Sequence, residues 1–225
     1  MATPLDLQEQ EQLDSMKSFW KQYGNLITWT LILVLTAFAG WNGWNWWQRE
    51  QSAKAGAMFD ELDRAIVAGD TSRTARVFSD LRERFPRTAF TQQAGLLAAR
   101  LQYDKGDSDA ARTTLQWVAD SASEDEYRTV ARLHLASLML QAKQYDEALK
   151  TLDAANAPTF AALVADRRGD VLLAQGKTAE AGAAYLAAWQ AMDEKLDYRK
   201  LIDAKLTALG AAPPAAAASA PGAAP

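Results

Sequence analysis

The stretch ASLMLQAKQYDEALKTLDAA, residues 136–155, decides how the chain is read. A small residue, Ala136, is followed twelve positions on by another, Ala148; Leu152 and Ala155 stand four and seven positions after that. The same pattern recurs as Ala99, Ala111, Leu115 and Val118 before it, and as Gly169, Ala181, Tyr185 and Ala188 after it. Ala111, Ala148 and Ala181 are 37 and 33 positions apart. Residues 48–209 are rich in Ala, Leu, Gln, Glu and Arg, all good helix formers, with breakers at Gly69, Pro86, Gly106, Pro158 and Gly176. No long segment alternates as a strand would. The expected fold is therefore all-α, built of stacked helix pairs in which a small residue on each helix lets the two backbones approach and a larger one fills the groove beside the next pair.

The spacing is near the 34-residue period of tetratricopeptide repeats, which residues 88–192 resemble. The resemblance implies an α-solenoid. Three places depart from the pattern: Gly95 and Arg132 stand where an aromatic is usual, and Arg168 where Leu is expected, so degenerate repeats are expected. Ser123 with Glu126 reads as a capping box opening one helix, and Thr178 as the cap of another. Upstream, residues 50–68 and 72–84 read as a further helix pair, although aligning Ala75 with Ala111 puts Asp63 at a small-residue place. Downstream, residues 198–209 offer a last helix whose Tyr198, Leu201, Ile202, Leu206 and Leu209 share a face able to cover the final repeat. After Gly210 the chain is almost all Ala and Pro, a composition that builds no packed core, so residues 210–225 read as a flexible tail.

Ahead of the repeats, no charged residue stands between Lys21 and Arg49, and residues 26–47 read LITWTLILVLTAFAGWNGWNWW. As a helix this run is about 33 Å long, enough for a hydrocarbon core of about 30 Å. Trp41, Trp44, Trp46 and Trp47 form an aromatic belt at one end, with Trp20, Tyr23 and Trp29 at the other. Ala37-Phe38-Ala39 resembles a signal-peptidase site, but four acids precede it and the apolar run continues past the cut. Gly40 and Gly43 are three apart rather than four, so no tight transmembrane dimer is inferred from them. The expected division is a cytoplasmic tail over 1–25, a transmembrane helix over 26–47, repeats over 48–209 and the tail. Charge does not set the orientation, because Lys17 and Lys21 on one side oppose Arg49, Lys54 and Arg64 on the other. A short N-terminal tail before a long domain favours the domain outside the cytoplasm.

The 24 Lys and Arg against 28 Asp and Glu give a net charge of −4, too balanced for a general nucleic-acid footprint. With no Cys and one His, the chain offers no thiol site, disulfide or zinc finger. It carries no phosphate loop, dinucleotide fingerprint, HExxH or GxSxG, and His134 lacks a nameable nucleophile and orienting partner. No enzyme, cofactor, metal or small-molecule substrate is expected. The acids Glu124, Asp125 and Glu126 suit a helix N-terminus better than a cation. Arg73, Arg76, Arg82, Arg84 and Arg87 read first as a solvated face, and second as a surface for acidic lipid or a protein partner. The first helices of stacked pairs line a concave surface, here Gln93, Leu96, Arg100 and Tyr103, then Val130, Leu133, Ser137 and Leu140, then Asp166, Asp170 and Leu173. Apolar centres among polar groups suit a peptide or partner groove, and each of these leucines fits the helix-pair core equally well.

An acidic N-terminal segment ending FWKQYGN, one Trp-rich anchor and an Ala-rich repeat domain together resemble the YfgM family, ancillary subunits of the bacterial SecYEG translocon. The resemblance spans residues 13–209 and is most specific over 19–47. It implies an inner-membrane protein with a cytoplasmic N-terminus and periplasmic repeats. It also implies association with the translocon and with a periplasmic chaperone of the PpiD type, and a link to envelope stress regulation. The other reading of an anchor plus such repeats is a periplasmic coordinator of envelope growth or cell division.

Overall fold

The computed structural model describes residues 7–211, and every regular element among them is helical. In chain order these are α1 (Leu7–Val67), α2 (Thr71–Arg84), α3 (Ala89–Asp104), α4 (Ser108–Ser121), α5 (Asp125–Gln141), α6 (Tyr145–Asp153), a 3-10 turn (Pro158–Phe160), α7 (Ala161–Ala174), α8 (Thr178–Ala191) and α9 (Tyr198–Ala208). The chain divides into two compact units, Met1–Gln51 and Ser52–Pro225. The Ala/Pro tail expected from residue 210 lies outside the described residues from position 212 on.

In the first unit the side chains from residue 11 onward are exposed, apart from Gly24 and the half-exposed Asn45 and Gln51. α1 is the one helix among the described residues long and apolar enough to cross a membrane. Four polar side chains of its apolar run bond to its own backbone: Thr28 donates to the Gly24 carbonyl at 2.7 Å, Thr30 to Leu26 and Thr36 to Ile32 at 2.8 Å, and Asn42 to Phe38 at 2.9 Å. Internal satisfaction of this kind is what a helix needs in a solvent without hydrogen-bonding partners.

The second unit is a run of helix pairs, and the turn within each pair is the same. Gly69, Gly106, Lys143 and Gly176 all have left-handed backbones, with φ of 67°, 87°, 58° and 79°. In each turn the following N–H reaches back to a carbonyl inside the preceding helix: Asp70 to Ala65, Asp107 to Gln102, Gln144 to Met139 and Lys177 to Leu172, at 2.8 to 3.0 Å. This is the Schellman closure that satisfies orphan helix carbonyls. It marks the end of α1 with α2 as a pair like the others, despite the exposed Asp63. Ala55 and Leu62 of α1 are fully buried against Val77, Phe78 and Leu81 of α2 and Ala94 and Ala98 of α3.

The close-contact positions are fully buried. Ala111, Ala136, Ala148 and Ala181 are all 0 % exposed, and Leu115, Leu152 and Tyr185 fill the facing places. Ala155 is the exception; α6 ends at Asp153, and Ala155 is half-buried in the following turn. A Cβ at Gly169 would overlap the Tyr185 ring, and one at Gly95 would stand 2.5 Å from Val118. The departures from the repeat pattern have physical reasons. Gly95 makes room for Val118 and the Phe78 ring. Arg132 donates to the Ala154 carbonyl at 2.6 Å and to the Ala119 carbonyl at 3.2 Å, placing a cation at the ends of α6 and α4. Arg168 pairs with Asp153.

Three local expectations are corrected. α5 is capped at Glu124, without a side-chain bond, so Ser123 and Glu126 form no capping box. Arg128 organises that entry instead, donating to the Ala122 carbonyl at 2.9 Å and pairing with Asp125. Thr178 is the first residue of α8 and Lys177 its N-cap, because the closure at Gly176 delivers the chain one position earlier. On α9, Ile202 and Leu206 are fully buried and Leu209 packs beside them, whereas Leu201 is 48 % exposed.

Gly169→Ala is expected to destabilise the protein by about 1 to 3 kcal/mol, because the added methyl must displace the ring it meets. Gly182→Ala, whose Cβ meets only Ala211 at 3.8 Å, is expected to be neutral or slightly stabilising. Denaturant unfolding of the full-length chain in detergent measures both.

Candidate concave interaction surface

α3 and α5, the first helices of neighbouring pairs, enclose a cleft of about 370 Å³. Leu96, Leu97, Arg100 and Tyr103 line it from α3, and His134, Ser137, Leu138 and Gln141 from α5. Each helix contributes from one face, since these positions recur at three and four residues. The Tyr103 hydroxyl donates to Gln141 Oε1 at 2.6 Å, tying the two helices at one end of the cleft. Arg100 lies 3.8 Å from Asp104 and remains largely exposed. The cleft thus has an apolar floor, amide and hydroxyl groups at its edge and a guanidinium at its mouth, a set suited to holding a peptide segment.

Four of the expected groove residues meet here: Leu96, Arg100, Tyr103 and Ser137. Gln93 is exposed on the same helix. Val130, Leu133 and Leu140 are half-buried, and the two leucines pack against the core formed by Ala136, Met139, Ala148, Leu152 and Val171. Leu173 is 40 % exposed. Asp166 and Asp170 lie elsewhere, beneath α9. Lys205 Nζ bonds Asp166 at 2.8 and 3.0 Å and Asp170 at 2.7 Å. The Tyr198 hydroxyl donates to Asp166 and that of Tyr185 to Asp170, at 2.8 and 2.9 Å. Asp166 is 1 % exposed, so these carboxylates are structural partners of α9 and present no open groove surface. Burial first, then the bond to Asp166, pushes the Tyr198 phenol up to about 12. The same two causes, with Asp170 as the partner, hold Tyr185 well above the ordinary phenol range.

His134, Leu97, Leu138 and Gln141 line the cleft without having been expected there. The spacing of 134, 138 and 141 along one helix face was the available signal. Desolvation, then the positive charges of Arg167 and Arg100, hold the His134 imidazole below its ordinary 6.5. The ring is therefore neutral near pH 7, and the side chain can donate from one nitrogen and accept at the other.

Three arginines of the cluster between residues 73 and 87 make local contacts. Arg73 bonds Glu61 at 2.9 Å, while Arg82 and Arg84 lie 5.9 and 5.4 Å from the Trp117 and Phe85 rings. Among the described residues no group of three or more His, Cys, Asp or Glu is placed to hold a metal ion.

The family model described as a tetratricopeptide repeat-like domain matches residues 17–211. The chain is also similar to curated proteins called ancillary SecYEG translocon subunit. That of Neisseria gonorrhoeae is 31 % identical over 204 residues, covering 90 % of this chain and 98 % of the relative. That of Escherichia coli is 30 % identical over 181 residues, covering 80 % and 86 %. That of Haemophilus influenzae is 26 % identical over 170 residues, covering 76 % and 83 %.

Two outcomes test the geometry. His134 is the only histidine, so its proton NMR titration is expected to give a single midpoint below 6.5, moving upward in Arg167→Gln. A depressed imidazole contributes stability that is complete above 6.5 and falls as the pH drops below it. Lys205→Met, which leaves Asp166 buried without its cation, is expected to destabilise by about 3 kcal/mol in denaturant unfolding.

Proposed function

The chain belongs to the YfgM family of tetratricopeptide repeat-like proteins, and from that membership we propose that it is a membrane-anchored interaction scaffold of the Sec translocon. In this reading residues 26–47 span the bacterial inner membrane once, residues 1–25 are cytoplasmic and the repeats of residues 48–209 are periplasmic, followed by the Ala/Pro tail. The protein associates with SecYEG, as its relatives' name says of them, and brings a periplasmic chaperone of the PpiD type to secreted and outer-membrane proteins as they emerge. Its availability then links translocation to envelope stress regulation. It acts by binding and carries out no catalysis.

One observation carries the proposal: the one helix among the described residues that is apolar and exposed enough to span a bilayer is joined in one chain to a helical-repeat domain with an open cleft. Tethering to the membrane raises the local concentration of that cleft near membrane partners, so individually weak contacts give a durable complex. The neutral His134, the Arg100 guanidinium and the Tyr103 to Gln141 bridge supply directional groups around an apolar floor. That combination recognises a peptide segment by shape and hydrogen bonding rather than by net charge.

The test is co-purification from membranes. Arg100→Ala with Tyr103→Ala is expected to lose most chaperone capture while retaining SecYEG and unchanged helicity by circular dichroism. Replacing residues 26–47 with an unrelated apolar span is expected to weaken SecYEG recovery. Retention of both partners by both variants would contradict the scaffold as placed here. Protease added to spheroplasts is expected to digest the repeats; protection would reverse the orientation.

A further inference from the structure

The segment ahead of the span carries an apolar stripe that a tail projecting into water would leave uncovered. Leu13, Met16, Phe19, Trp20 and Tyr23 are 38, 64, 52, 62 and 43 % exposed. At 100° per residue they fall within an arc of about 120° on one face of α1. Glu11, Asp14, Ser15, Ser18 and Gln22 occupy the opposite face. Ser15 and Ser18 bond back to carbonyls of their own helix at 2.8 Å, so that face is solvated and needs no partner. Lys17 and Lys21 stand at the flank of the stripe, Lys17 lying 3.5 Å from Asp14 with both side chains mostly exposed. The Phe19 and Tyr23 rings lie 5.1 Å apart, tilted at 41°, so neighbouring turns of the stripe touch.

We propose that, although α1 runs unbroken through Gly24 and Asn25 in the structure, in the bilayer residues 13–23 lie as an amphipathic helix in the headgroup region with this stripe turned into the lipid, the helix bending into the span at Gly24 and Asn25. The inference rests on the reading of residues 26–47 as a span. The occupant follows from continuity, because the stripe belongs to the helix that supplies the span. A helix continuing straight along the bilayer normal would place Trp20 about 9 Å, Met16 about 15 Å and Leu13 about 20 Å beyond Leu26. The headgroup layer is only about 5 to 7 Å deep on each side, so a straight helix would hold Met16 and Leu13 in water. Lying in the interface, the same side chains bury their apolar surface, and Trp20 and Tyr23 meet the polar layer that suits their N–H and O–H. The two lysines can extend to lipid phosphates while their stems cover apolar surface. Gly24 and Asn25 are the weakest helix formers between stripe and span, the place where a bend costs least.

The chain has no cysteine, so Met16→Cys, Ser18→Cys and Val34→Cys each give one site for a nitroxide. Full-length protein in vesicles of phosphatidylcholine and phosphatidylglycerol is probed by paramagnetic resonance, with oxygen as the lipid-soluble relaxant and a nickel chelate as the water-soluble one. The label at position 16 is expected to be several-fold more accessible to oxygen, and several-fold less accessible to nickel, than that at position 18. Nickel reaching 16 and 18 equally, with position 34 still in lipid, would overturn the inference and leave the span intact. Nickel reaching position 34 would overturn the span itself. A label at 16 shielded from both relaxants, with spectral broadening that disappears on dilution with unlabelled chain, would give the stripe to a second copy and reject the lipid.

Discussion

Close approach of antiparallel helices at small residues is the constraint on which the repeat domain depends. Ala111, Ala148 and Ala181 are wholly enclosed, and enlarging a residue in a close-packed contact forces its neighbours to shift. Gly169 gives the sharpest case, because the place its missing Cβ would take is occupied by Tyr185. That ring also directs its hydroxyl to Asp170, so one large residue both fills the contact and orients a carboxylate on the helix it meets. The interior is close-packed, and a change at one such position propagates to its neighbours.

From this contact follow the two features that shape the surface. Repeating pairs set α3 beside α5, which opens the cleft between Arg100, Tyr103, His134 and Gln141. At the other end, Lys205 of α9 reaches both Asp166 and Asp170 of α7 and closes the stack. Buried ion pairs contribute little net stability, since desolvation offsets most of the attraction. This one fixes position: with Tyr198 and Tyr185 bound to the same carboxylates, α9 has a single way to seat.

Periodicity made the solenoid legible. Ala99, Ala136 and Gly169 repeat with their partners twelve positions on, and the breakers Gly69, Gly106 and Gly176 stand in the left-handed turns. Lys143 occupies the equivalent turn without being glycine, which is why that turn was harder to see. The lining of the cleft was half legible. A helix-face pattern says which residues share a side, and it placed Leu96, Arg100, Tyr103 and Ser137 together; it carries no information on what a later segment covers. Asp166 pairs with Lys205, 39 positions away, a contact no local period encodes. Caps at Ser123 and Thr178 were misplaced because Arg128 and the backbone closure at Gly176 satisfy those helix ends instead. His134 was set aside as a lone histidine, although its neighbours on α5 shared the face of the cleft.

The central claim is that the concave face between α3 and α5 is where partners are held. Photo-crosslinking in native membranes tests it most directly, with a benzophenone amino acid placed singly at Leu97 or Ser137 in the cleft, or at Asp120 or Lys150 on the α4 and α6 side. The account predicts adducts to a periplasmic chaperone from Leu97 and Ser137 and none from Asp120 and Lys150. Adducts from Asp120 and Lys150 alone would contradict it and move recognition to the α4 and α6 side, where these residues line a second hollow.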